Sequence, residues 1–144
     1  MVEAWFERHR DTAILAARVA MMVLMVRFGR EKLMAVSHTI DMMAGYGLPF
    51  PALAAAVSIG AELGLGVLLM IGCCTRPLAV LMALYTLATA LAGHRYWTMT
   101  GGAQMANAIH FYKNVSIAGG LLLLAVTGAG TWSFDGWRAA RRNA

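Results

Sequence analysis

Charged residues are scarce in this sequence. Lys, Arg, Asp and Glu together make up 13% of its 144 residues, whereas a soluble domain carries about 25%. Hydrophobic residues make up 60%. This composition excludes an ordinary soluble domain. It predicts an integral membrane protein of one domain, with enough residues for four spans and short connections.

Cysteine is almost absent as well. The two cysteines, Cys73 and Cys74, are adjacent, which excludes a disulfide framework because neighbouring cysteines form at best a strained bridge. We interpret them as small apolar packing residues, with thiol redox chemistry as the alternative.

Several functional motifs are also missing. The sequence contains no CxxC pair, no dinucleotide-binding fingerprint and no phosphate-binding loop, so an electron donor for any redox reaction must come from a partner. It has no nucleic-acid-binding motif, and we expect no nucleic-acid partner. The net charge of +5 reflects basic residues that flank the hydrophobic runs and carry information on topology.

One acid stands out within the long hydrophobic run at residues 52–72. Glu62 is the only charged residue there, and as a helix this run is about 31 Å long, close to the hydrocarbon thickness of a bilayer. An unpaired acid near the middle of a span costs about 2.5–3.5 kcal/mol. We therefore expect Glu62 to face other helices, with Lys113 or Arg18 as its partner in a buried ion pair. A purely structural role for this pair is the alternative.

The hydrophobic pattern predicts spans at residues 12–33, 52–72, 77–93 and 105–128. A signal peptide is the alternative for the first run, but Arg18 interrupts that run and no cleavage region follows it. Residues 34–44 predict a short interfacial helix. The expected fold class is all-α, an integral membrane four-helix bundle with this short helix between spans one and two. A GxxxG motif at Gly60 and Gly64 suggests an internal helix crossing.

Basic residues predict the orientation of the spans. Six lie on the side that holds both termini and the 73–77 turn, against three on the other side once Arg27 and Lys113 are assigned to spans. Because cytoplasmic loops carry the excess of Lys and Arg, we expect both termini of this multi-pass protein in the cytoplasm.

Polar residues gather on the side opposite the termini, where spans one and three end and span four begins. Ionisable groups inside a membrane usually serve function, and a quinone headgroup needs hydrogen-bonding partners for two carbonyl oxygens and a path for protons. We predict two groups of site residues: Glu62, Lys113 and His110 as catalytic, and Arg18, His94, Trp97, Tyr112 and Asn114 as binding the quinone. We predict no metal site; ligation of a metal or haem iron by His94 and His110 is the alternative.

The order and spacing of these motifs resemble the DoxX family of small bacterial inner-membrane proteins, across nearly the whole chain. The matching segments are Arg18, Phe28-Gly29-x-x-Lys32-Leu33, Gly47-Leu48-Pro49-x-Pro51, Glu62-Leu63, Thr75-Arg76, His94-x-Tyr96-Trp97, Phe111-x-Lys113-Asn114, Gly119-Gly120 before four leucines, and Gly130 to Asp135. Cys73 and Cys74 depart from the family, which usually has apolar residues or glycine there. The resemblance implies a four-helix bundle in the bacterial inner membrane, and a link to membrane redox systems.

Three functions are compatible with the predicted site residues and the family resemblance. The first is a quinone-interacting subunit of a membrane oxidoreductase, embedded in the lipid bilayer beside a protein partner of a redox complex. The second is a non-catalytic subunit that anchors or assembles a larger complex. The third is a carrier for a small solute or a metal, although no internal repeat supports alternating access.

Overall fold

The computed structural model describes residues 1–142, and within this part of the chain it is helical without any strand. Its seven α-helices are α1 (Val2–Met34), α2 (Val36–Gly45), α3 (Pro51–Ile59), α4 (Gly66–Ile71), α5 (Thr75–Gly93), α6 (Gly101–Thr127) and α7 (Phe134–Arg142). Four helical stretches are long and apolar enough to cross a membrane: Val2–Met34, Pro51–Ile71, Thr75–Thr98 and Gly101–Thr127. The predicted fold class, an all-α bundle with four spans, is confirmed.

The first helix is longer than the predicted span. α1 begins at Val2, because residues 2–11 contain neither glycine nor proline and so nothing breaks the helix. Its 33 residues give a length of about 50 Å, which exceeds the hydrocarbon thickness of about 30 Å. The N-terminal turns therefore extend beyond the bilayer, where Trp5 stacks on His9.

The second span is one continuous rod with an irregular centre. α3 and α4 are joined by a π-helical segment, Gly60–Leu65, which carries Glu62. Pro51 occupies the first turn of α3, where its missing N–H costs nothing. The rod ends at Gly72, whose φ of +74° is the left-handed conformation that terminates many helices.

Four rods form the bundle. α1 packs along the second span, α5 packs along α6 over most of its length, and contacts of α1 with α6 and of α4 with α5 close the ring. The core at the centre consists of small and flexible side chains, among them Met22, Met25 and Met82. Large apolar side chains such as Leu84 and Leu123 are instead more than half exposed on the outside, as expected for a surface that faces lipid tails.

The short helix between spans one and two is present as α2. It packs mainly against α3 and buries Thr39 and Met43. The Thr39 hydroxyl donates to the carbonyls of Lys32 and Ala35 at the end of α1. α2 thus folds back over the end of the bundle that lies opposite the termini.

Close contact between α1 and the second span depends on Gly29. A Cβ atom at Gly29 would lie 2.5 Å from the Leu63 backbone nitrogen and 2.9 Å from the Glu62 carbonyl carbon. The expected crossing at Gly60 and Gly64 is wrong, because both face open space on the outside of the bundle. The small residue that permits the approach lies on α1.

Both termini lie at the same end of the bundle. The Thr131 hydroxyl, just before α7, donates to Asp11 Oδ2 on α1 at 2.7 Å. α7 continues from there, with Trp137 about half exposed and Arg141 stacked over its ring at 4.1 Å.

Candidate functional site

Glu62 lies inside the bundle at the π-helical segment. It is 7% exposed, which confirms that this carboxylate faces protein. Its Oε1 atom is paired with Lys32 Nζ and accepts a hydrogen bond from the Tyr85 hydroxyl at 2.7 Å. The predicted pairing with Lys113 or Arg18 is wrong. Lys32 takes this place because Gly29, three residues earlier on α1, brings the two backbones together.

The polar side chains around Glu62 form a closed hydrogen-bond network. Lys32 Nζ also donates to Ser58 Oγ at 2.9 Å, and Ser58 Oγ lies 3.0 Å from the Tyr85 hydroxyl. Tyr85 has a single proton and gives it to Glu62, so Ser58 donates to Tyr85. The network fixes the direction of every hydrogen bond within it.

One atom of this network has no partner. Glu62 Oε2 is buried and makes no hydrogen bond to any part of the chain that the structure describes. Buried polar atoms without partners are rare in proteins and call for an explanation. An ionised carboxylate is a pure acceptor, so Oε2 can be satisfied only by a donor from outside the network.

A cavity of about 540 Å³ adjoins the network, within the range of about 300–1,000 Å³ typical of small-molecule sites. Lys32, Ser58, Glu62 and Tyr85 line it from α1, the second span and α5. The remaining walls are mainly apolar and come from α1, α2, α3 and α5, with Leu24, Phe28, Met42, Tyr46 and Val57 among them. Further polar groups come from the C-terminal end of α5 and the first half of α6: His94, His110, Lys113 and Asn114.

The predicted residues in the first half of α6 interact with one another. Lys113 Nζ lies 3.1 Å from His110 Nδ1, and since an ammonium group only donates, the remaining ring proton of neutral His110 is on Nε2. The His94 and His110 rings stack with centroids 5.1 Å apart, and His94 also bonds to Asn107 at 3.2 Å. Near-parallel stacked rings do not direct two nitrogens at one point. Within residues 1–142 no three His, Cys, Asp or Glu side chains form a metal-binding group.

Two other predicted binding residues lie outside this cavity. Trp97 is 52% exposed and packs edge-on against Tyr96 and Phe111. Tyr112 is 58% exposed, with its hydroxyl 3.3 Å from that of Tyr96. These rings form an aromatic group at the end of the bundle, as is typical of side chains at a membrane interface.

Arg18 lies towards the opposite end of the bundle and is 1% exposed. Its guanidinium donates to the backbone carbonyls of Met70, Ala129 and Trp132. These carbonyls belong to the end of the second span and to the loop after α6, so Arg18 joins three parts of the chain. It does not line the cavity, so the cavity does not support its assignment to quinone binding.

Cys73 and Cys74 lie in the turn before α5. Both are free thiols; Cys73 is half-buried and Cys74 is exposed. The interpretation as packing residues is therefore wrong for Cys74. Its φ of +49° is unusual for a residue with a side chain, and its backbone N–H donates to Asp135 Oδ1 at 2.9 Å.

Sequence reasoning missed Lys32, Ser58 and Tyr85 as partners of Glu62. Two signals were present. Ser58 precedes Glu62 by four residues and so falls on the same side of a helix. Tyr85 is the largest polar side chain in a span that has no charge, where a buried hydroxyl needs a partner.

Comparisons with known proteins give a family and two relatives. The family model described as DoxX matches residues 13–95. The inner membrane protein YphA of Escherichia coli K12 is 47% identical over 130 residues, which cover 90% of this chain and 93% of that protein. The inner membrane protein YqjF of the same organism is 34% identical over 125 residues, or 87% of this chain and 91% of that protein. No solved structure gives a significant match.

Proposed function

This chain belongs to the DoxX family, and we propose that it is an inner-membrane protein whose cavity binds a quinone-type ring for a membrane oxidoreductase. The observation that carries this proposal is the cavity itself. It combines mainly apolar walls with a buried carboxylate, a lysine ammonium and a histidine. Apolar walls with a few placed polar groups are the usual composition of a small-molecule site.

The residues present fit a quinone. Its two oxygens need hydrogen-bonding partners, and Lys113 Nζ, His110 Nε2 and the Asn114 amide are donors on one wall. Glu62 and Tyr85 supply a proton acceptor and a hydroxyl on another wall. A bound quinone would supply two-electron, two-proton redox chemistry. The role of the chain is to bind and orient the ring, keep lipid away from it, and hold a proton at Glu62.

The proposal includes a protein partner. No CxxC pair, dinucleotide fingerprint or phosphate-binding loop occurs in the sequence, so the electron donor is supplied by another subunit. Under this proposal the chain is the quinone-binding membrane subunit of a redox complex.

Titration of the purified chain with a short-chain quinone tests the proposal. We expect saturable binding that Lys113→Met weakens about tenfold, because a hydrogen bond from a charged group is lost. Arg30→Met is the matched control. It also replaces a positive charge by methionine, at an exposed residue two positions before Lys32. Absence of saturable binding in the wild type, or equal losses in both variants, would contradict the proposal.

The alternative is a non-catalytic subunit that anchors or assembles a larger complex. α7 favours it, because its exposed aromatic and arginine side chains form an amphipathic surface outside the bundle. This function predicts that the chain co-purifies in mild detergent with a partner. It also predicts that deletion of residues 134–144 abolishes this co-purification, and that quinone does not bind.

A further inference from the structure

The last helix, α7, concentrates positive charge at the end of the bundle that holds both termini. Arg138, Arg141 and Arg142 lie on this helix with a single acid, Asp135. None of the three arginines forms an ion pair within residues 1–142. Asp135 already accepts two hydrogen bonds from the backbone at the start of α5. The described chain therefore leaves most of the charge on α7 without a counter-charge.

Aromatic rings accompany the arginines on one side of α7. Phe134, Trp137 and Arg141 follow one another at spacings of four and three residues, which place them on one helix face. The two rings are 41% and 48% exposed, and the guanidinium of Arg141 lies over the Trp137 ring. Trp132, just before the helix, is exposed as well. Aromatic rings beside arginines are typical of helices that lie at the boundary between lipid tails and headgroups.

Hydrogen bonds hold the first turn of α7 at the level where two spans end. The backbone N–H of Asp135 donates to the carbonyl of Gly72 at 2.9 Å. Its carboxylate accepts from the N–H groups of Cys74 and Thr75 at 2.9 and 2.8 Å. Gly72 caps the end of the second span and Thr75 begins α5. Because both spans end there, α7 begins at the surface of the membrane.

Packing within the bundle does not explain the composition of α7. None of its residues is buried, and every residue from Arg138 to Arg142 is exposed. A layer of anionic phospholipid headgroups complements both features of the helix, since phosphates pair with guanidinium groups and aromatic rings enter the apolar region beneath. The basic residues at this end also predict that it faces the cytoplasm, where the leaflet carries a negative surface potential.

We propose that α7 lies along the cytoplasmic surface of the membrane and binds anionic phospholipids through Arg138, Arg141 and Arg142. The inference is independent of the proposed quinone site, and it assigns the exposed surface of α7 to lipid rather than to a protein partner. Phe134 and Trp137 insert among the lipids beside the arginines. Each arginine close to an anionic surface contributes a factor of about five to the binding constant.

Amide hydrogen exchange of residues 134–142, measured by mass spectrometry on the full chain in lipid nanodiscs, tests the proposal. Nanodiscs of phosphatidylcholine alone are compared with nanodiscs that contain phosphatidylcholine and phosphatidylglycerol in equal amounts. Bound lipid opposes the opening of α7 that exchange requires, so exchange should be about tenfold slower in the anionic nanodiscs. Salt at about 0.5 M should remove most of this difference, because it screens exposed charges.

Two double variants test the role of the arginines. Arg141→Gln combined with Arg142→Gln should remove most of the difference in exchange between the two kinds of nanodisc. Arg27→Gln combined with Arg30→Gln is the matched control. It removes the same charge from exposed positions near the other end of the bundle and should leave the difference unchanged.

Three results would overturn the proposal. Equal exchange of residues 134–142 in neutral and anionic nanodiscs would show that anionic lipid does not bind α7. A difference that survives both high salt and the loss of Arg141 and Arg142 would show that the arginines are not the contact. Protection in neutral nanodiscs that requires a co-purified protein would assign the surface of α7 to that partner. The wild-type comparison of the two lipids decides the proposal even if a variant does not fold.

Discussion

At the scale of single residues, two buried charges have different roles. Glu62 and Lys32 form an ion pair, and both residues line a cavity. Arg18 is more deeply buried, but it donates only to backbone carbonyls at the ends of other segments. Burial of a charge therefore does not identify a site by itself. The cavity that Glu62 lines, and Arg18 does not, distinguishes the two residues.

The close approach at Gly29 yields the first prediction at this scale. Gly29→Ala should destabilise the protein by about 1–3 kcal/mol, the usual range for overpacking, because the new methyl group meets backbone atoms of Leu63 and Glu62 that cannot rotate away. Thermal unfolding in detergent measures this change.

The matched control for Gly29→Ala is Gly119→Ala. Gly119 lies within α6 and a Cβ atom there meets nothing within 4 Å, so alanine should stabilise the helix by up to about 1 kcal/mol. Equal effects of the two substitutions would show that the α1 contact does not depend on glycine.

At the scale of elements, the second span positions Glu62 inside the bundle, and α7 positions a carboxylate that caps another helix. The π-helical segment displaces the regular helical register where Glu62 projects into the bundle, and such segments often occur at functional sites. α7 carries Asp135, whose two carboxylate oxygens accept from the backbone N–H groups of Cys74 and Thr75 at 2.9 and 2.8 Å. A side chain of the last helix therefore caps the N-terminus of α5.

The cap at Asp135 is sensitive to pH. Partial burial opposes ionisation, but hydrogen bonds from Thr75 and Cys74, together with the charge of Arg138, hold the pKa of Asp135 below its ordinary value. A carboxylate with a lowered pKa in the folded state stabilises the protein above the unfolded pKa of about 3.9, and this stability is lost as the pH falls through the folded value.

We therefore expect Asp135→Ala to destabilise the protein by about 1 kcal/mol at pH 7, as for loss of a helix cap. Chemical denaturation of both proteins should show the difference shrinking as the pH falls from about 4 through the lower pKa of Asp135 in the folded state. Asp41→Ala provides the control, because Asp41 is exposed on α2. A difference that persists unchanged at low pH would mean that the Asp135 carboxylate does not act as the cap.

At the scale of the whole molecule, the bundle has two distinct ends. One holds both termini, the Arg18 contacts and the basic helix α7. The other holds α2, the aromatic rings around Tyr96 and the polar end of the cavity. The excess of Lys and Arg at the terminal end predicts that it faces the cytoplasm, with the cavity towards the opposite face of the membrane.

The native cysteines provide a test of this orientation. Cys74 is exposed in the turn at the terminal end, so a membrane-impermeant maleimide should label it in inverted vesicles and not in intact spheroplasts. The sequence has no cysteines other than Cys73 and Cys74, so the double serine variant serves as the blank. Thr100→Cys in that background should show the reverse pattern, and labelling of Cys74 in spheroplasts would refute the orientation.

Much of this architecture is determined by the sequence alone. The length and hydropathy of four runs determine the number of spans, because a helix of about 20 apolar residues is the simplest way to satisfy every backbone group inside a bilayer. The cost of a charge in lipid likewise determines that Glu62 faces inwards. Glycine and proline at residues 45–51 determine the break between α2 and the second span.

Only the tertiary structure decided which cation meets Glu62. The sequence predicted Lys113 or Arg18 by depth and missed Lys32, since position along a helix axis follows from sequence but rotation about that axis and the spacing between axes do not. Here the rotation is set by packing, through the contact of Gly29 with the π-helical segment. Pairing with Lys32, rather than with Lys113 or Arg18, leaves Lys113 free to line the cavity.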